Sequence, residues 1–244
     1  MEATQAPFPA AWWGTKLPGV RPAESTYGRY ECSPIVIPAG VAFDGSFGWL
    51  RAEPARSDNI IEKKWNELSK SFARLERFCG EPTIALPESF RTFFRGDDIA
   101  SRVRSCTACF LDLAEDAINS PKGSGRLVRF LSDQQGCVLW YLYLDRERDD
   151  HCVVASPDYF GSDAEALDMQ PSDPESIVFS AESFETFVFR FWTENEFWFA
   201  TSHGDQPSPL ASRAFAAQGW SVPSKSPIAA KRRSWWSRVF SRGK

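Results

Sequence analysis

Between Ile60 and Cys79 apolar residues recur at spacings of four and three: Ile61, Trp65, Leu68, Phe72, Leu75 and Cys79. That period gathers them on one face and predicts a helix over about 60–79. Asn59 is read as its N-cap, Glu62 takes the third helical position, and Gly80 follows the end. The pattern stops after three heptads, so it predicts a core-facing helix rather than a coiled-coil seam. A second helix is predicted from Leu86-Pro87-Glu88, since proline is favoured at the first helical position. Phe90, Phe93 and Phe94 supply its apolar face and Gly96 ends it. Residues 97–103 are read as a further short helical turn.

From Arg126 to Ser156 three apolar runs alternate with a Gly-containing turn (Asp133 to Gly136) and a charged turn (Asp145 to Asp150). Runs rich in Val, Leu, Tyr and Trp between polar turns predict an antiparallel meander. Strands are expected at about 105–113, 127–132, 137–144 and 152–156. Asn119 to Gly125 is read as a flexible loop, and 158–174 as an acidic, proline-containing one. A helix over about 181–201 follows Ser180, read as its N-cap. Its rings (Phe184, Phe187, Phe189, Phe191, Trp192, Phe197, Trp198, Phe199) cover more than one face. Such a helix is either buried on several sides or presents aromatics to a partner. A weaker helix is expected at 210–218. The layout is then a Pro- and Gly-rich arm over 1–58, a domain over 59–220, and a linker with a basic tail over 221–244. The arm, with extended pieces at 30–37 and 41–50, is expected to lie on the core.

The chain has 244 residues, enough to bury a sizeable core without disulfides or metal. Its 14% aromatic content, with ten Trp and twenty Phe, is high. That fits a heavily packed core or an exposed recognition surface. The net charge of −4 is uneven. Lys225 to Lys244 holds seven basic residues and no acid, which leaves 21 basic against 32 acidic residues, or −11, on the rest. An acidic body favours basic protein partners and makes nucleic acid an unlikely one. Met1 to Pro18 has no basic n-region or sustained apolar run, and no stretch reaches ~18 apolar residues. With no secretion signal read, the six cysteines are expected to be free thiols in a reducing cytoplasm.

Candidates for chemistry are few. His151 and His203 read as surface or capping residues rather than general bases. Cys106 and Cys109 have the spacing of one metal knuckle, but a structural zinc site takes two. On a predicted strand their sulfurs diverge. Asp145, Glu147, Asp149 and Asp150 lack the spacing of a calcium loop, and Arg146 and Arg148 interleave them. No phosphate loop or nucleophile elbow is present. No cofactor or metal is expected; an enzyme would have to work through Cys106, Cys109, Asp112 or His151. In the tail, Trp235, Trp236, Val239 and Phe240 cluster at helical spacings beside Arg232, Arg233, Arg238 and Arg242. That pattern suits an anionic membrane surface, docking onto the acidic body, a disordered solubilising end or a nucleic-acid backbone.

The same elements resemble the SUKH superfamily, the Smi/Knr-like proteins that include bacterial toxin-immunity proteins. The resemblance is carried by Leu86 to Phe94, the strand around Arg104 to Leu113, Asp133 to Gly136 with Trp140 to Tyr143, and Ser183 to Trp198. It covers about 60–202, with one departure at Phe94 to Asp97, where the common Asn-Gly is missing. The resemblance implies an α+β fold, a twisted, mostly antiparallel sheet with helices packed against it. It also implies a non-enzymatic, cytoplasmic binding protein that neutralises a cognate toxin. The expected contacts to a basic toxin domain are Asp145, Glu147, Asp149 and Asp150, with Trp140, Tyr141 and Tyr143 on one or other sheet face. Strand alternation sends Tyr141 and Tyr143 to the face opposite Trp140. The alternative is a protein held peripherally at a membrane by its tail, through Arg232, Arg233, Trp235, Trp236, Arg238 and Phe240.

Overall fold

A computed structural model describes residues 7–61, 65–79, 85–96, 98–145, 150–162 and 172–222. Its centre is the predicted meander, β5 (Arg126–Ser132), β6 (Leu139–Asp145) and β7 (Asp150–Ser156), each pair antiparallel. β8 (Val178–Ala181) extends the sheet beyond β7, while the two-residue strands β3 (Phe110–Leu111) and β4 (Ile118–Asn119) both pair with β5. β1 (Trp12–Gly14) and β2 (Gly28–Tyr30) form a separate ribbon. Five helices are described: α1 (Gly48–Arg51), α2 (Trp65–Cys79), α3 (Glu88–Arg95), α4 (Phe184–Ser202) and α5 (Pro209–Ala217). The expected α+β architecture is what the chain adopts.

Both faces of the sheet are buried. Val128, Phe130, Trp140, Leu142, Val153 and Ala155 face the main core with α3 and α4. Leu127, Leu139, Tyr141, Tyr143, Cys152 and Val154 face a second, smaller cluster closed by Phe8, Tyr159, Phe160 and Ile177. A run such as LWYLYL, apolar at every position, is the signature of a strand covered on two sides. Phe184 sits at the middle of the main core and meets Phe47, Phe90, Phe93, Phe94 and Phe130. Its ring centre lies 4.8 Å from that of Phe90.

The N-terminal arm is part of this core, not a coat over it. Trp12, Leu17, Tyr27, Phe47, Trp49 and Leu50 are all buried within the main cluster. Pro9 to Ala11 also closes the β8 edge: the Phe179 amide donates to the Pro9 carbonyl at 2.9 Å, and the Ala11 amide to the Phe179 carbonyl at 3.0 Å. An unpaired sheet edge is thereby covered.

Several local expectations are corrected. Asn59 does not cap a helix; it takes a left-handed φ of 53°, and Ile60 beside it bridges Arg104 instead. The cap of α4 is Ser183, whose hydroxyl accepts from the Thr186 amide at 3.1 Å; Ser180 belongs to β8. The expected strand over 105–113 shrinks to Phe110–Leu111, because Cys106 and Thr107 form a turn and Ala108 has φ 59°. The 30–37 and 41–50 segments are mostly irregular, and Gly48–Arg51 is a helical turn. Ala100–Arg102 forms the short turn expected after α3, as a 3-10 helix.

Candidate functional site

Three of the residues expected to meet a partner are inside the molecule. Trp140, Tyr141 and Tyr143 are 1%, 0% and 3% exposed. Their alternation is as expected, with Trp140 in the main core and the two tyrosines in the second cluster. What covers them comes from far along the chain. Trp140 packs on Tyr27, Phe187 and Phe191. The Tyr141 hydroxyl donates to the Asp158 carbonyl at 3.3 Å and accepts from the Phe160 amide at 2.9 Å. Burial raises its pKa, so it remains a neutral hydroxyl. Tyr143 stands edge-on to Phe8 and accepts from the Gly125 amide at 3.2 Å. A Cβ on Gly125 would lie 2.5 Å from the Tyr143 ring, so the supposedly flexible Gly loop is a fitted wall around that side chain.

The acidic hairpin end is different. Asp145 and Asp150 are register partners closing β6 and β7, and the Asp150 side chain is 73% exposed. Glu147 and Asp149 lie outside the described residues, as do all of Arg232, Arg233, Trp235, Trp236, Arg238 and Phe240. His151, next to Asp150, is half-buried; burial holds its pKa below the usual value of 6.5, and the Asp150 carboxylate 4.0 Å away offsets part of that.

The acids of α4 form a dense electrostatic cluster, and its geometry is structural. Sixteen of the helix's 19 residues are buried. Glu194 accepts from the Trp12 indole at 3.0 Å and from both ends of the Arg21 guanidinium at 3.0 and 2.6 Å, with Arg190 at 3.3 Å. Burial alone would push its carboxyl up; Arg21 and Arg190 outweigh that and hold it below the ordinary range. Glu196 receives a two-point contact from Arg104, both bonds 3.0 Å, and a third from Arg56 at 2.7 Å. Asn195 accepts from the Cys106 amide at 2.7 Å. Glu185 takes the Trp49 indole at 2.9 Å and the Gly45 amide at 2.7 Å, while burial raises its pKa. Each acid fastens a different piece of the arm or of the 104–106 segment to the helix. The sequence signal was Thr193-Glu194-Asn195-Glu196 set inside an aromatic run, where an acid must find a cationic partner.

Cys106 and Cys109 sit on a turn, not a strand. The Cys106 thiol approaches the Thr15 hydroxyl at 3.7 Å, and burial pushes its pKa up to about 12. The Cys109 sulfur lies 3.0 Å from the Tyr27 hydroxyl and is likewise raised by burial. Such thiols stay protonated near neutral pH, which opposes nucleophilic attack. Asp112 is engaged by Arg129 at 2.8 Å and by the Ser132 hydroxyl at 2.6 Å. His151 pairs with Leu144, opposite Arg126, while the cysteines lie by Asp133 at the other end of β5, about 20 Å along the strand. Cys106, Cys109, Asp112 and His151 are therefore not brought together. Among the described residues no group of three or more His, Cys, Asp or Glu is placed to hold a metal ion, and no helix is long and apolar enough to cross a membrane.

Fold and cluster together define an α+β protein whose N-terminal arm is locked into the core through a buried charged helix. No family model, curated protein or solved structure matches the chain.

Proposed function

We propose that the chain is a non-catalytic protein-binding module of the immunity type, which neutralises a cognate toxin by binding it directly. The SUKH-like residues of 60–202 support this reading. The observation that carries it is the acidic end of the central hairpin. Asp145 and Asp150 face each other across the ladder, and the Asp150 carboxylate is largely exposed. An acidic hairpin end of this kind suits a cationic partner. Glu147 and Asp149 lie between them in sequence, and residues 1–224 carry −11, so the field reinforces the local charge. Charge of this kind speeds association and selects the partner more than it deepens affinity. The buried Trp140, Tyr141 and Tyr143 then serve as the rigid base of the hairpin rather than as contacts. The test is the association rate with the product of a neighbouring toxin gene. Replacing Asp145, Glu147, Asp149 and Asp150 by their amides should slow it roughly tenfold or more at low salt; an unchanged rate would remove the hairpin from the interface.

The second reading keeps the basic tail as a membrane contact, favoured by the Trp and Arg clustering of 232–242. Each Lys or Arg near an anionic surface contributes about 1 kcal/mol. Flotation with anionic liposomes should then be lost on truncation at residue 224, and equal flotation of both chains would end this reading.

A further inference from the structure

The C-terminal half of α2 and the start of α3 enclose an open cleft of about 500 Å3, lined by Ala73, Glu76, Arg77, Cys79, Leu86 and Arg91. That volume falls in the range of small-molecule sites. Its charge runs against that of the body. Arg77 donates its Nε to the Ala73 carbonyl at 3.2 Å, and Arg91 its Nε to the Leu86 carbonyl at 3.1 Å. Among the described residues neither guanidinium meets a carboxylate. Glu76, the acid in the lining, is held by Arg95 at 2.5 Å. A third guanidinium stands close by: Arg126 lies 5.3 Å from the Phe78 ring centre, with its Nε buried and unpartnered. Burial raises the half-buried Cys79 thiol, and the charges of Arg126 and Arg91 offset part of that rise.

Among the described residues none of the three arginines meets a carboxylate; Arg77 is exposed, and Arg91 and Arg126 are half-buried. For the half-buried Arg91, a cation without counter-charge in a partly desolvated place is unfavourable unless something anionic completes it. The planar guanidinium fork matches the oxygens of a phosphate. The other lining atoms, from Ala73, Leu86 and Cys79, are apolar and suit the body of a small organic molecule.

We propose that the α2–α3 cleft binds a small organic phosphate, its phosphoryl oxygens on Arg77 and Arg91, and its body against Ala73, Leu86 and Cys79. The site does not depend on the partner-binding reading. Titration calorimetry on the full chain with AMP, glucose 6-phosphate and phosphoserine tests it, with inorganic phosphate and succinate as comparison arms. At least one organic phosphate should bind saturably and about tenfold more tightly than inorganic phosphate or succinate. The Arg77→Ala/Arg91→Ala double variant should weaken it by about tenfold or more, and Arg213→Ala on exposed α5 should leave it unchanged. The native chain offers a second measurement that needs no variant: the bound ligand should slow maleimide labelling of Cys79 and leave exposed Cys137 unaffected. No saturable binding, equal binding by inorganic phosphate, equal binding by the double variant, or no protection of Cys79 would each overturn the assignment.

Discussion

Glu194 shows how a single charged residue can be essential inside an aromatic helix. It joins Trp12, Arg21 and Arg190 at one buried point, so removing its charge leaves two guanidiniums without their counter-ion. Glu194→Gln should cost about 3–5 kcal/mol, read as a lower urea midpoint with an unchanged slope. A loss within about 0.5 kcal/mol would mean the contact is no more than a surface pair. His151 makes a prediction about pH. Burial places its folded pKa below the ordinary 6.5, so the unfolded chain takes up the proton more readily. Its contribution is therefore fully present above about pH 6.5 and is lost as pH falls through and below that value. His151→Gln should flatten the decline in stability between about pH 7 and pH 5; parallel profiles would contradict the assignment. At this scale the sequence told which residues alternate, Trp140 against Tyr141, because alternation is a property of the strand itself. Their exposure was not legible, because Phe8 and Phe160 close the second face from positions remote in sequence.

Elements with a strong internal period were legible. The α2 stripe, the Phe90, Phe93 and Phe94 face of α3, and the three meander strands all lie within a few residues of their expected bounds. Elements defined by tertiary contact were not. Cys106 to Ala108 reads as strand by composition, yet Asn195 captures the Cys106 amide and the chain turns there. β8 escaped notice because four residues carry little pattern and its edge is completed by Pro9 and Ala11. The aromatic excess of α4 left two readings open, core or display, and burial on nearly every side decides for core. Phe184 is the clearest measure of that packing, with five rings around it. Phe184→Ala should destabilise by about 3–5 kcal/mol, read in the same urea titration. A cost below about 1 kcal/mol would show that the ring cluster closes around the gap.

For the whole molecule, the division into arm and domain proved the least legible feature. Proline and glycine in 1–58 suggested an arm lying on the core; its rings fill the main core, and its Trp12 and Arg21 are bound by α4. Irregular backbone hides this, since burial of rings leaves no period when the chain between them turns often. Of the expected contacts, Trp140, Tyr141 and Tyr143 lie inside the molecule, while Asp145 and Asp150 stand at the end of the hairpin. The α2–α3 cleft gave no sequence signal at all, because Arg77 and Arg91 line one cleft only through the fold. The central claim remains that this scaffold captures a basic toxin. It is tested most directly by calorimetric titration of the full chain against the product of a neighbouring toxin gene, with toxin activity followed in parallel. The account predicts a saturable complex that abolishes the activity and weakens as salt rises. A titration without heat and with full toxin activity at excess protein would contradict it.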